Sequence, residues 1–411
     1  LTTTLSKISR NPRDPGFFQN PYAFYDELHE ADPTFFWEDY GHWCFGGWED
    51  VNALFRDKRF GRQILHVATR EELGWPEPKP HTKDFDAADA HSLLYLEPPE
   101  HTRLRTLVNR SFVSRQVEHL RPKIETLAHE LIDKFEDRNE IDLIAEFAAP
   151  IPVLIIAEML GVPTDMGDQL LDWSHRMVAM YMFGRNEEVE RDANAAARDF
   201  SAYLRDLAAE KRANPGDDLI SYMITTEHRG QKLTEAELIS TSILLLNAGH
   251  EATVHQVGNG IKSILESGLS PGHLFATPEE TEKTVEECLR FDAPLHMFTR
   301  YALTDMELDG GIRLKKGDEI GLMLGAANRD PRQFNNPNTF DPHRTDQGNV
   351  SFGAGIHFCI GAPLARIELQ ESLKVLFARL PNISLSEPPR YANVYHFHGL
   401  EKLMAKPAGA K

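Results

Sequence analysis

The sequence predicts a mainly α fold with small β-sheets, on three observations. Apolar residues recur with a 3.6-residue period through Gln116–Phe135, Ile151–Met159, Glu188–Arg212 and Leu364–Leu380, which marks amphipathic helices. One helix candidate is much longer than the rest. Strand-like runs are few and short. In chain order, Thr34–Trp37 and His42–Phe45 flank Gly41 as two short strands. The segment Arg70–Ser92, with Pro76, Pro78, Pro80 and the acidic run Asp84–Asp89, has no sustained period and reads as a long loop of the kind that covers a site. The long helix opens at Thr234, where Thr234 and Glu237 supply a capping box, and stops at Gly268. At 1.5 Å per residue it spans roughly 50 Å. Its middle, Ile243 to Gly249, is apolar on nearly all sides, as in a helix threading the centre of a large domain. Ile312–Leu324, with its Lys315-Lys316-Gly317-Asp318 turn, reads as a hairpin.

The 411 residues are 41% hydrophobic and 26% charged, the composition of a globular chain. No repeat and no Gly/Ser-rich linker divides them, so residues 1–411 are read as one domain. The longest apolar stretch, Ala148 to Leu160, is interrupted by Pro150, Pro152 and Glu158 and falls short of the ~20 residues a bilayer span needs. The first residues carry no apolar signal-peptide core, and the expectation is a soluble cytoplasmic protein. A net charge of −19 argues against nucleic acid and anionic membrane as partners, since both demand a basic face. Cys44, Cys288 and Cys359 are too far apart for a zinc-type pair and suggest no disulfide framework. Cys44, between Trp43 and Phe45, and Cys288, inside a helix, read as core residues.

Cys359 differs. It lies in Phe352-Gly353-Ala354-Gly355-Ile356-His357-Phe358-Cys359-Ile360-Gly361, followed by the helical Ala362-Pro363-Leu364-Ala365-Arg366. Three glycines allow positive φ and close backbone approach, so N–H groups can point at the sulfur. The helix that starts just after the cysteine places its positive end there and lowers the thiol pKa. The pattern Phe-Gly-x-Gly-x-His-x-Cys-x-Gly-x-x-Leu-Ala-Arg resembles the cysteine loop of the cytochrome P450 family. The resemblance implies the fold of that family, with haem b buried between the long central helix and the cysteine-loop helix. It makes Cys359 the axial iron ligand, with Phe352, Gly353 and Gly361 beside the haem. A thiolate ligand favours O–O cleavage, the step that separates an oxygenase from an oxygen carrier.

Further stretches are similar to the family in the right order, so the likeness covers essentially the whole chain. Glu287 and Arg290, three apart on one helix face, look like its Glu-x-x-Arg pair, and Arg344 in Phe340-Asp341-Pro342-His343-Arg344 is the implied third member, with a role in folding and haem retention. Ala327-Asn328-Arg329-Asp330-Pro331 also looks like family sequence. His101 and Arg105 share a helix face after Pro98-Pro99-Glu100. With Arg300 and His357 they are implied to bind the haem propionates.

The family usually places an acid and then a threonine at the middle of the long helix. Here the chain reads Ala248-Gly249-His250-Glu251-Ala252-Thr253. Ala248 and Gly249 match the small pair beside the haem and Glu251 the acid, a source of protons through water. Ala252 stands where threonine is usual, and Thr253 follows about 100° further round the helix, where it can instead bond back to the helix carbonyls. Ordered water, or a hydroxyl on the substrate, is expected to replace the missing alcohol. His250 and His255 are read as facing helix neighbours or solvent, and neither is assigned to the iron.

Between His101 and Lys123 lie Arg103, Arg105, Arg110, Arg115, Arg121 and Lys123 against one acid, Glu118. The resemblance places this basic run on the cysteine side of the haem, where an acidic electron donor docks. The expected donor is a ferredoxin served by an NAD(P)H-dependent reductase, since the chain shows no flavin or nicotinamide fingerprint. The expected reaction inserts one atom of O2 into a mainly apolar small molecule, held by residues of Arg70–Ser92, by Met177–Phe183 with Met180 among them, and by Leu295, Met297 and Phe298. A peroxide-driven peroxygenase and a non-catalytic haem sensor or carrier are the alternatives.

Overall fold

The computed structural model describes residues 6–111, 117–182, 184–346 and 348–408. The chain forms two compact units interleaved in sequence. The first comprises Leu1–Val67, Ile124–Ala149 and Ala252–Lys411, and the second Ala68–Lys123 and Pro150–Glu251. Helices dominate and the sheets are small.

The first unit carries a six-stranded sheet in the order Ser6–Ile8, Thr34–Trp37, His42–Phe45, Glu319–Leu322, Phe298–Ala302, Phe60–Gly61. Thr34–Trp37 and His42–Phe45 pair antiparallel around Gly41, whose φ of 74° makes the turn. Alternation along these strands sends Phe35, Trp37 and Cys44 into a core with Phe17, Tyr25 and Met297. Cys288 is equally buried, and burial pushes both thiols far above their ordinary value, so neither is a thiolate. The expected hairpin over Ile312–Leu324 is corrected. Ile312–Leu314 pairs with Met306–Leu308, whereas Glu319–Leu322 pairs with His42–Phe45 and Phe298–Ala302. The turn is present, with Gly317 at φ 97°. Its two arms nevertheless join different sheets, because burying Ile320 and Leu322 inside the large sheet satisfies more backbone than a two-stranded ribbon does.

In the second unit, helices Gly167–Val178 and Glu187–Ala213 pack together, with Trp173 stacked on Phe200 at 5.1 Å between ring centroids. The expected loop over Arg70–Ser92 is also corrected. It holds helices Arg70–Leu73 and Lys83–Asp89. Proline and acidic residues hid the second of these, and a distant side chain caps it. Asn194 Oδ1 accepts from the Asp84 and Phe85 N–H groups at 2.7 and 3.1 Å. Nearby Glu190 is buried and receives Lys79 and His81, each at 2.8 Å. The Lys79 hydrogen bond leads in holding its carboxyl down at about 2.

The long helix runs Glu235–Ser267. Its capping box forms as the sequence indicates: Glu237 N–H donates to Thr234 Oγ1 at 3.2 Å, and Thr234 N–H to Glu237 Oε2 at 2.8 Å. The helices expected over 151–159, 188–212 and 364–380 are Pro150–Leu160, Glu187–Ala213 and Ala362–Arg379. That expected from Gln116 is Arg121–Asp133 in its main part, and Gln116 lies outside the described residues. Among the described residues no helix is long and apolar enough to cross a membrane.

Candidate functional site

In the first unit, the loop before helix Ala362–Arg379 presents Cys359 exposed at its surface. Backbone bonds fix the loop: Gly353 N–H to Val350 O at 2.8 Å, Phe358 N–H to Gly355 O at 3.2 Å, and Cys359 N–H to Phe352 O at 3.0 Å. Gly355 has φ 71°, and a Cβ there would lie 2.4 Å from Phe55 O, so no other residue fits without moving the chain. Arg366 stacks its guanidinium 4.6 Å above the Phe352 ring and pairs with Glu286 at 2.5 Å, tying loop to helix.

The thiol stands beside two exposed apolar side chains, Ile356 and Phe358, 48% and 40% exposed. Among the described residues Cys359 belongs to no cluster of three His, Cys, Asp or Glu able to hold a bare metal ion. A thiol outside any such cluster, with apolar side chains exposed next to it in sequence, fits an iron whose remaining ligands arrive with an apolar macrocycle, as in haem.

Beneath this loop, Glu287 is fully buried and takes Arg290 in a fork, Nε to Oε2 at 2.8 Å and Nη2 to Oε1 at 2.7 Å. Arg344 Nε donates to Oε2 at 2.8 Å, and the Asp341 N–H to Oε1 at 2.8 Å. Arg290 also donates to the carbonyls of Asn328, Pro337 and Thr339. One carboxylate and two guanidiniums thus hold the strandless segment 328–346 that leads to the cysteine loop.

The cationic residues expected around carboxylates divide between the units. Arg300, in strand Phe298–Ala302, is buried with its guanidinium 4.9 Å from the Phe55 ring, and His357 lies in the cysteine loop; both are in the first unit. His101 and Arg105 lie on helix Glu100–Ser111 of the second, with His101 buried and Arg105 half-buried.

On the long helix, Ala248 is exposed and Ala252 half-buried, one turn apart on one face, while Thr253 is buried on another. Gly249 lets Pro150–Leu160 approach, since a Cβ there would touch Ile156 at 3.4 Å. Glu251 faces His175 Nε2 at 3.3 Å and His250 Nε2 at 3.7 Å. Burial pushes its carboxyl above the ordinary value, and His175 opposes the shift. Sequence reasoning missed His175, because 76 positions separate it from Glu251.

Met180 is buried in the second unit. Met297 packs in the first unit's core against Gly321, Leu295 bridges to Phe397, and Phe298 is half-buried on its strand with Arg62 5.3 Å from its ring. Phe183 lies outside the described residues. The basic run is less bare than its sequence suggested. Arg103 pairs with Glu237, Arg121 with Glu118 and Lys123 with Glu158. Arg110 is exposed, and Arg115 lies outside the described residues. Glu237 and Glu158 come from other helices, which local composition does not reveal.

Comparison with known proteins gives one answer. The family model for cytochrome P450 matches residues 279–381. The chain is 34% identical, over 97% of its length and 98% of the relative's, to the polyketide biosynthesis cytochrome P450 PksS of Bacillus subtilis strain 168. Its fold matches that of P450BioI, crystallised with an acyl carrier protein ligated to hexadec-9Z-enoic acid, at TM-score 0.87 and 33% identity over 95% of this chain and 99% of that one. It likewise matches the myxobacterial cytochrome P450 CYP267B1 in complex with myristic acid, at TM-score 0.86 and 34% identity over 96% of this chain and 98% of that one.

Proposed function

The chain belongs to the cytochrome P450 family and is a haem-thiolate monooxygenase, and from that premise we propose that haem b binds against Cys359 and that one atom of O2 enters a mainly apolar small molecule. The observation that carries the reading is the exposed Cys359 thiol in its glycine-bent loop, outside any three-residue metal cluster among the described residues. When bound, haem supplies the iron at which oxygen is activated.

The chain's own residues supply the rest. Cys359 sits three residues before the start of helix Ala362–Arg379, whose positive N-terminal end favours the thiolate. By resemblance to the family, Arg300 and His357 of the first unit and His101 and Arg105 of the second would hold the haem propionates by charge-assisted hydrogen bonds. Phe352, Gly353 and Gly361 line the thiolate side, and Ala248 and Gly249 leave room on the helix side. Glu251 holds a proton and passes it inward through water. Thr253 is buried away from the Ala248–Ala252 face, which favours water or a substrate hydroxyl as the relay at Ala252. Glu287, Arg290 and Arg344 keep the cysteine loop in place.

Two structural relatives hold long acyl chains. Such ligands support an apolar substrate, met by Met180, Leu295, Met297 and Phe298 together with helix Lys83–Asp89. A ferredoxin, recharged by an NAD(P)H-dependent reductase, is the electron donor, and Arg110 is an exposed cation of the basic run that favours an acidic partner.

The test is the absorption spectrum of the reduced protein under carbon monoxide. The strongly red-shifted band of thiolate-bound haem is expected, and its loss in Cys359→His. An unshifted band in the native protein overturns the assignment.

A further inference from the structure

We propose that Glu190 and Asn194 form a two-point latch that fastens segment 79–89 onto helix Glu187–Ala213, and that its release admits substrate. All of these residues lie in the second unit, where helix Lys83–Asp89 packs on helix Glu187–Ala213. The latch stands on its own geometry. Its role in admitting substrate rests on the assignment of helix Lys83–Asp89 to the substrate pocket.

Glu190 and Asn194 are four residues apart and so share one face of their helix. The Glu190 side chain is 5% exposed, and three cations converge on it. Lys79 Nζ donates to both carboxylate oxygens at 2.8 Å, His81 Nε2 donates to Oε2 at 2.8 Å, and Arg185 Nε stands 3.4 Å from Oε1. An ionised carboxylate only accepts, so His81 carries a proton on Nε2. One turn further on, Asn194 Oδ1 accepts the Asp84 and Phe85 N–H groups, and Asn194 Nδ2 donates to Asp84 Oδ2 at 3.0 Å. Side chains and backbone of the segment are tied to the same helix face.

The apolar hold on the segment is small. Residues 76–80 are exposed, and Phe85 and Ala88 are the buried residues of helix Lys83–Asp89. Thr82 spends its hydroxyl inside the segment, on Lys79 O and Asp86 Oδ2. A helix of 7 residues does not persist by itself, so its ties to the longer helix decide whether it stays docked. The two ties differ in kind. That at Asn194 is neutral, whereas that at Glu190 is ionic, with Lys79 57% and Arg185 43% exposed, so salt screens it. Arg185 belongs to the residues just before helix Glu187–Ala213 and stays with Glu190 when the segment lifts. The carboxylate then keeps a cation, and release strands no charge.

Hydrogen exchange of the holoprotein, followed by mass spectrometry, tests the latch in Glu190→Gln, Asn194→Ala and a control, Glu187→Gln, whose side chain pairs with Arg191 on the exposed surface. The haem spectrum reports that each variant is folded. Exchange in segment 79–89 is expected to rise at least about tenfold in the first two and to stay unchanged in the control, with helix Glu187–Ala213 protected throughout. Added salt is expected to speed that exchange in the native protein and not in Glu190→Gln. Exchange unchanged in both variants, or raised equally across helices Gly167–Val178 and Glu187–Ala213, overturns the latch. Stopped-flow binding of phenylimidazole, a nitrogen ligand for haem iron, reads the role in entry, and association and dissociation are both expected to be several-fold faster in Glu190→Gln. Faster exchange with unchanged ligand rates supports the latch and overturns its role in admitting substrate.

Discussion

Two clusters in this molecule are built from the same kinds of residue and are suited to different work. In the second unit, His175, His250 and Glu251 meet with one imidazole open to solvent. In the first, Asp292, His296 and His398 meet fully buried. Asp292 has its charge answered within the protein. Tyr22 donates to one oxygen at 2.7 Å, Tyr391 to the other at 2.5 Å, and Lys262 Nζ stands 3.5 Å away. Arg329 lies 4.2 Å from the Tyr22 ring. Burial, chiefly, holds His296 and His398 well below their ordinary pKa, so both stay neutral. Near Glu251 the neighbouring Arg176 is committed to Asp172 and Asp192, and His175, exposed to solvent, stands 3.3 Å from the carboxylate. Ligand-type residues within reach of one another do not by themselves make a metal site, because the charge they carry can be answered inside the protein, as it is at Asp292.

The largest effect expected from this contrast is in the sealed cluster. Asp292→Ala leaves the buried Tyr22 and Tyr391 hydroxyls without their acceptor and takes one of two carboxylates from Lys262, which keeps Glu266 at 3.2 Å, and a loss of roughly 3–5 kcal/mol in denaturant unfolding is expected. A loss under about 1 kcal/mol would mean that charge does not hold this cluster.

Glu368 sharpens the rule, being buried in helix Ala362–Arg379 with its Oε1 lacking a hydrogen-bond partner. Burial pushes it up to about 8 from an ordinary 4.5. Because the folded state keeps a proton that the unfolded state releases, stability falls as pH rises from about 4.5 to about 8 and then levels. Glu368→Gln is expected to abolish that slope and to stabilise the protein by on the order of a few kcal/mol above pH 8. Unfolding midpoints across that range check it, and an unchanged slope would show that Glu368 ionises freely.

In the open cluster the effect is on rate. Glu251→Gln is expected to slow product formation on the order of 10²-fold, with the carbon monoxide spectrum and the unfolding midpoint unchanged. A drop in stability comparable to that of Asp292→Ala would break the contrast between the clusters. The smallest change expected is in Ala252→Thr, where product per NADH consumed falls while oxygen uptake continues. Unchanged coupling would mean that no relay occupies the Ala252 face.

How far the sequence was legible follows from the range of the interactions involved. Helix Glu235–Ser267 and its capping box were legible because Thr234 and Glu237 act within one turn. The cysteine loop was legible because its glycines, thiol and helix start are contiguous, and the Glu287–Arg290 fork because the family resemblance implied it, the i,i+3 spacing alone being common on solvated helices. Helix Lys83–Asp89 was not, since its N–H groups are capped by Asn194 from another helix. Nor was the fate of the turn at Lys315–Asp318, because strand pairing partners are chosen across the sheet. The basic run misled in the same way, through Glu237 and Glu158.

By itself the sequence determined the mainly α class, the family and the thiol, all written in local periodicity and in one unbroken motif. Only the tertiary structure decided which carboxylates are answered by cations and which are not. Asp292 with Lys262, and Glu251 with His175, are brought together by folding across long stretches of chain. The electrostatic character of a buried group is set by neighbours in space, and no local pattern encodes them.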